Sequence, residues 1–166
     1  RAERGQLISS HEPVDLAALV REVASHYASP RHHFVVHAHA QLVGQYDLQR
    51  IRQLIEHLLD NAILYSPQGG KIQISLRRQG ATAILTVSDE GIGIPQEDLP
   101  HLFDRFFRGS NVDDRQYAGM GLSLFICRAI VEQHGGRIEA TSQLGEGSSF
   151  QVILPLEGEE LRHAAA

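Results

Sequence analysis

Asp89-Glu90-Gly91-Ile92-Gly93-Ile94-Pro95 is the stretch that decides how the rest of the chain is read. It follows Ala83-Ile84-Leu85-Thr86-Val87, whose β-branched and aliphatic residues suit a strand, and it opens a loop holding two glycines. A carboxylate at a strand's end beside accessible backbone can receive a flat heterocycle. Asp89 would accept a hydrogen bond from an exocyclic amine, while Gly91 and Gly93, lacking Cβ, let the main chain come close to the ring. Asp-x-Gly-x-Gly alone also describes plain turns, so its meaning depends on its surroundings.

The chain has 166 residues, 42% hydrophobic and 21% charged, which is enough for one domain with a real core. Its formal net charge of -5 argues against a surface that neutralises nucleic-acid phosphates. The one cysteine, Cys127, lies in an apolar run and has no internal partner, which fits a reducing compartment. No apolar run reaches the length that spans a bilayer, and no signal-peptide pattern opens the chain.

Outward from the central stretch, the pattern predicts a chain of short elements. Residues 1–11 read as a linker or the tail of a preceding helix, 12–156 as the domain, and 157–166 as a frayed tail. Glu12-Pro13-Val14 is extended, and Asp15 is an N-cap for a helix with Leu16, Leu19, Val20, Val23 and Tyr27 at helical spacing, stopped by Ser29-Pro30. Residues 33–39 and 42–46 read as two strands joined by a tight turn. From Asp47 to Tyr65, residues Ile51, Leu54, Ile55, Leu58, Leu59 and Ala62 form one stripe, with Asn61 and Tyr65 at its margin and His57 and Leu64 just beyond. Residues 71–79 and 81–88 form a hairpin about Gly80, and residues 96–101 a short helix. A polar loop over 109–118 ends at Gly119-Met120-Gly121. The helix after it stops at His134-Gly135-Gly136, and a last strand pair turns at residues 144–147.

Several of these residues have chemistry of their own. Magnesium takes hard oxygen ligands and keeps several waters, so one side-chain amide oxygen such as that of Asn61, with phosphate oxygens, makes a sensible shell. An Asn paired to a buried carbonyl is the plainer alternative. Gly119, Gly121 and the amides opening the next helix can face an anion, or can simply turn the chain into the helix. Phe103, Phe106 and Phe107 read as anchors seating the loop, and Arg108 as a phosphate contact or a solvated charge. His33, His37 and His39 share a strand face with Val35, but no carboxylate or cysteine nearby completes a usual metal set.

In this order the motifs resemble the catalytic, ATP-binding domain of sensor histidine kinases, in the superfamily that also holds gyrase, mismatch-repair and heat-shock ATPases. Asn61-Ala62 with Tyr65 is similar to the N box, 89–93 to the first glycine box, 103–108 to the F box, 119–124 to the second glycine box and 145–147 to a third. The resemblance runs from about Glu12 to Leu156. It implies a Bergerat-type ATP-binding fold: a two-layer α/β sandwich whose mixed, mostly antiparallel sheet carries about three helices on one face. It implies ATP and Mg2+ as cofactors, Asn61 as metal-holding and catalytic residue with His57 beside it, and Tyr65 against adenine. Asp89, Gly91, Gly93, Ile94, Arg108, Gly119, Met120, Gly121, Leu122 and Ser148 complete the implied nucleotide site. The implied partners are a dimerisation domain of the same parent, carrying the phosphoacceptor histidine, and a response regulator. No nucleic acid and no direct membrane contact are implied. The implied location is cytoplasmic, in a parent that can itself be membrane-anchored.

Two positions depart from that pattern. The family commonly has a second Asn where this chain has His57 and a basic residue where it has Leu64. A neutral His still donates a hydrogen bond, but Leu64 supplies no charge, and a missing charge-assisted bond costs roughly 1.5 to 3 kcal/mol. Arg108 or Arg115 is a candidate to compensate. Two rival readings follow: a nucleotide-binding regulator that has lost phosphotransfer, and an anti-sigma-type serine kinase of the same fold. His11-Glu12 is no phosphoacceptor, because Pro13 follows it where the family places a basic residue.

Overall fold

The computed structural model describes residues 10–38, 40–107 and 123–156. Within them the order is β1 (Glu12–Asp15), α1 (Leu16–Ser25), β2 (His32–His37), β3 (Val43–Tyr46), α2 (Leu48–Leu64), β4 (Gly70–Gln79) and β5 (Thr82–Asp89). A 3-10 turn at Leu99–His101 precedes α3 (Ser123–Gln133), β6 (Arg137–Gln143) and β7 (Gly147–Pro155). The short helix expected over 96–101 is thus only a single turn. The linker and tail expected over 1–11 and 157–166 lie almost wholly outside the described residues.

The first two helices begin on aspartates, Asp15 as the sequence predicts and Asp47 at the residue where the expected helical segment starts. Asp15 Oδ1 accepts from Ala17 N at 3.1 Å, and Asp47 Oδ1 from Arg50 N at 3.2 Å. Each cap satisfies an otherwise orphaned amide and is worth about 1 kcal/mol. The apolar stripe of α2 is fully covered: Leu54, Ile55 and Leu59 are 0% exposed. At the far end of α3, Gly135 takes φ 81° and Gly136 N bonds back to Val131 O at 3.0 Å, closing the helix with a glycine as expected.

The pairing of β2 and β3 differs from the hairpin read in the sequence. β2 lies parallel to β4, whereas β3 pairs antiparallel with β1 in a separate two-stranded ribbon. The cause is local to the first helix cap. Asp15 Oδ1 also accepts from Leu42 N at 3.1 Å, and Leu16 N donates to Leu42 O at 2.8 Å, so the approach to β3 is fixed onto the β1–α1 junction. Nearness in sequence favoured a hairpin; the shared carboxylate selects a distant partner.

The main sheet runs β2-β4-β5-β7-β6, and every pair except β2–β4 is antiparallel. Register and burial separate its faces. Ala83, Leu85 and Val87 of β5 stand beside Leu76, Ile74, Leu154, Val152 and Phe150 in the core against α1, α2 and α3. Asp89, opposite Ile72 and Ser148, continues that same row. The other face presents Gln73, Thr86, Ser88, Ser149 and Gln151, all partly exposed. This is the two-layer sandwich the resemblance implies, with α2 in the middle of the helical layer, touching both α1 and α3 and crossing β5.

His134 ties α3 to the start of α2. Its Nδ1 donates to Ile130 O at 2.8 Å and its Nε2 accepts from Asp47 N at 3.1 Å, so the ring is held neutral. Burial lowers its pKa below the ordinary histidine value of 6.5, against the smaller raising pull of the Ile130 hydrogen bond. The unfolded chain then binds more protons than the folded one between the lowered value and 6.5, so stability rises with pH across that window. Denaturant unfolding of the wild type is expected to lose stability as pH falls from 7 through that window, by at most about 1.4 kcal/mol per pH unit for this one proton. In His134→Asn that part of the slope should vanish; an unchanged slope would contradict the assignment.

Candidate functional site

The loop opened by Asp89 is wedged between two neighbours. On one side, Ile92 N donates to Tyr65 O, the C-cap of α2, at 2.9 Å. A Cβ at Gly91 would stand 1.9 Å from the same carbonyl oxygen, so only glycine lets the loop reach the helix exit. On the other side, Gly145 N donates to Ile92 O at 2.9 Å, and a Cβ at Gly93 would stand 2.2 Å from Gln143 O in the β6–β7 hairpin. Gly147, at φ 123°, would clash in the same way with Asp89 O. Gly91, Gly93 and Gly147 thus serve protein-to-protein approach. That constraint is invisible in a local reading of Asp-x-Gly-x-Gly.

Asp89 is 7% exposed and both its oxygens are engaged. Oδ1 accepts from Gly91 N and Oδ2 from Ser148 Oγ, each at 2.9 Å. Burial pushes the carboxyl above its usual range. The donors of Gly91 and Ser148, and charge on nearby His32, pull the other way. A carboxylate has room for about four acceptor contacts, so the donors of Gly91 and Ser148 leave capacity for a ligand donor. Ser148, implied only by the resemblance, is therefore in direct contact with Asp89. Ile94 is 0% exposed within the core, and its N–H donates to Ser142 Oγ at 2.6 Å.

Asn61 sits one turn before Tyr65 on α2 and is 1% exposed. Among the described residues, its Nδ2 is the buried side-chain polar atom left without a hydrogen-bond partner. Leaving such a group unpaired costs about 1 to 3 kcal/mol, so the position calls for a partner that the described protein atoms do not supply. A side-chain amide can turn end for end to offer its oxygen instead, which fits a cation that takes most of its ligands from water and phosphate. No group of three or more His, Cys, Asp or Glu able to hold a metal occurs among the described residues. Tyr65 is 6% exposed and packs in the core cluster, while His57 and Leu64 are half-buried on α2.

The structure therefore brings Asn61, Tyr65, Asp89, Gly91, Gly93 and Ser148 to one end of the interlayer, through the joint between the α2 exit and the glycine loop. Arg108, Arg115, Gly119, Met120, Gly121 and Leu122 lie outside the described residues. Of the three phenylalanines expected as anchors, Phe103 meets Phe150 edge-on at 6.2 Å and Phe107 packs against the core. Phe106 does not. It is 66% exposed at φ 66°, with the Arg105 guanidinium 5.0 Å over its ring. Two contributors escaped the sequence reading. Glu90 Oε1 accepts from Lys71 N, and Ser142 Oγ donates to Gly147 O. Glu90 reaches β4, and Ser142 also accepts from Ile94 N, far away in sequence; no local motif marks either.

A two-layer sandwich with a glycine loop closed onto a helix exit, a buried carboxylate and an unpaired buried amide defines an ATP-binding class of fold. Residues 46–158 match the family described as histidine kinase-, DNA gyrase B-, and HSP90-like ATPase. The chain belongs to that family and, within it, is a catalytic ATP-binding domain of the sensor histidine kinase kind. It is similar to the sensor protein SrrB of Staphylococcus aureus, at 41% identity over 113 residues, covering 68% of this chain and only 19% of that protein. Among solved structures it resembles the mycobacterial sensor histidine kinase MprB, with a TM-score of 0.78 and 27% identity over 87% of this chain and 97% of the other. The catalytic domain of histidine kinase ThkA matches at the same TM-score and 28% identity, over 90% and 98%. Full-length ShkA, solved in complex with AMPPNP, matches at 0.71 and 25% identity over 88% of this chain and 31% of that one.

The glycine wedge yields a direct test. Gly91→Ala should cost about 1 to 3 kcal/mol in urea unfolding, because the helix exit or the loop must shift. Gly80→Ala, at φ 62° with nothing within 4 Å of the added Cβ, should cost no more than about 1 to 2 kcal/mol of backbone strain. Equal costs with no change in the Ile92 amide signal would contradict the wedge.

Proposed function

We propose that the domain holds magnesium-ATP between the exit of α2 and the loop opened by Asp89. It would pass the γ-phosphoryl group to a histidine on a separate dimerisation and acceptor domain of its parent, from which a response regulator takes it in turn. Phosphorus leaves the β–γ bridging oxygen, ADP departs, and the new bond is to an imidazole nitrogen. The observation that carries this reading is the buried, unpaired amide of Asn61 on the helix whose exit is bonded to the Asp89 loop.

In this reading the Asp89 carboxylate accepts from the adenine amino group and fixes the base. Tyr65 bounds the ring, and Gly91, Gly93 and Ile94 form the wall beneath it. Asn61 would hold magnesium, which would supply charge neutralisation at the phosphates. Such transfer relies mostly on positioning and charge stabilisation, so rigid placement of the base matters as much as the phosphate contacts. Arg108 and residues 119–122 are proposed to meet the phosphates. Association of ShkA with AMPPNP supports a nucleotide in this fold, and likeness to SrrB supports a sensor parent over a stand-alone serine kinase. Domain limits of 12–156 and a cytoplasmic setting in a parent that can be membrane-anchored belong to the same proposal. Among the described residues no helix is long and apolar enough to cross a membrane. Leu64, where the family usually has a cation, favours a second reading in which nucleotide binds without efficient transfer.

Titration with ATP, with and without magnesium, tests the binding half. Asp89→Asn keeps an acceptor for Gly91 N and a partner for Ser148 but turns an amide donor toward the base, so ATP affinity should fall at least tenfold with the melting temperature nearly unchanged. Asn61→Ala should abolish the gain in affinity that magnesium brings. Affinity in the wild type should also fall as pH drops through the raised Asp89 value, because the ionised form is the acceptor. Unchanged binding in Asp89→Asn contradicts the adenine contact. Incubating the domain with magnesium-ATP and an acceptor-helix protein separates the two readings: phosphohistidine supports transfer, and its absence beside intact binding supports the second.

A further inference from the structure

His32 opens β2 at the edge of the sheet, lies outside the core cluster and is half-buried. Both ring nitrogens are engaged. Nδ1 lies 2.7 Å from Ser29 Oγ, and Nε2 lies 2.8 Å from Ser66 O and 3.0 Å from Ser66 Oγ. Ser66 Oγ spends its own proton on Ala62 O at 2.6 Å, so it meets the ring with lone pairs and Nε2 is the donor. In the neutral ring, Nδ1 then accepts from the Ser29 hydroxyl.

Ser66 is the first residue beyond the C-cap of α2, where the Asp89 loop leans. A Cβ at Gly91 would lie 2.7 Å from Ser66 Cα, and the neighbouring Tyr65 O holds Ile92 N. Ser66 O also accepts from Gly69 N at 2.9 Å, which shapes the turn into β4. The imidazole thus grips from one side the turn on which the glycine loop rests from the other. The ring borders a recess of about 520 Å³ together with Arg31, Leu64 and Pro67, so shortening it opens no hole in the core.

We propose that His32 is a positioning residue of the nucleotide site: it braces the Tyr65–Ser66 turn, and through that turn the Gly91–Ile92 segment that aims Asp89. This rests on Asp89 being the adenine contact. The brace itself can be read without nucleotide, by amide hydrogen exchange followed by NMR. In His32→Ala, exchange at Ile92 should accelerate about tenfold or more while Val87 and Val152 in the sheet stay protected. ATP affinity should fall about tenfold. His32→Gln, which keeps a donor toward Ser66, should recover most of both. Unchanged Ile92 exchange in His32→Ala overturns the brace, as does acceleration shared equally with Val87 and Val152. Accelerated Ile92 exchange with wild-type ATP affinity overturns the positioning role. If the wild type itself fails to bind ATP while Ile92 responds as expected, the brace stands and the adenine reading of Asp89 falls.

Discussion

The hydrogen bond from Ile92 N to Tyr65 O is the joint on which the site depends. It attaches the C-cap of the central helix to the loop at the end of the central strand, and the missing Cβ of Gly91 is what permits the approach. Helical and sheet layers otherwise meet through apolar side chains, whose packing is dense but carries little directional information. At this end a directional bond sets the spacing between a residue of the helix, Asn61, and a residue of the sheet, Asp89. Two buried polar groups, to which the proposed function gives the opposite ends of one ligand, are thereby fixed relative to each other.

The joint is reinforced from three directions. The β6–β7 hairpin presses on it through Gly93 and Gly147, β4 holds Glu90, and β2 supplies His32 against Ser66. Every one of these contacts has backbone on at least one side. Rigid walls suit a domain whose chemistry is mainly the orientation of a phosphate. The departures from the family at His57 and Leu64 fall on the helix side of the joint, on half-buried positions, and leave the joint itself intact.

Much of this was legible in the sequence where the signal was periodic or local. The stripe from Ile51 to Ala62, the cap at Asp15 and the glycine stop after His134 depend on residues close together in sequence, and all appear as read. The ordered motifs gave the fold because their sequence matches one known arrangement. What the sequence hid was non-local. β3 chose β1 over β2 because a cap carboxylate also holds Leu42 N, and Phe106 turned outward at a positive φ that no neighbouring residue announces. Gly91, Gly93 and Gly147 stand out in the sequence, but the constraint each answers is non-local: they admit other segments of the protein.

The most direct test is a crystal structure of the domain with magnesium and a non-hydrolysable ATP analogue. The adenine amino nitrogen is expected about 3 Å from an Asp89 carboxylate oxygen, and the metal roughly 2.0 to 2.1 Å from the Asn61 amide oxygen. A nucleotide bound elsewhere, or one seated here with the Asn61 amide still unpaired, would contradict the claim that these two residues hold the opposite ends of one ligand.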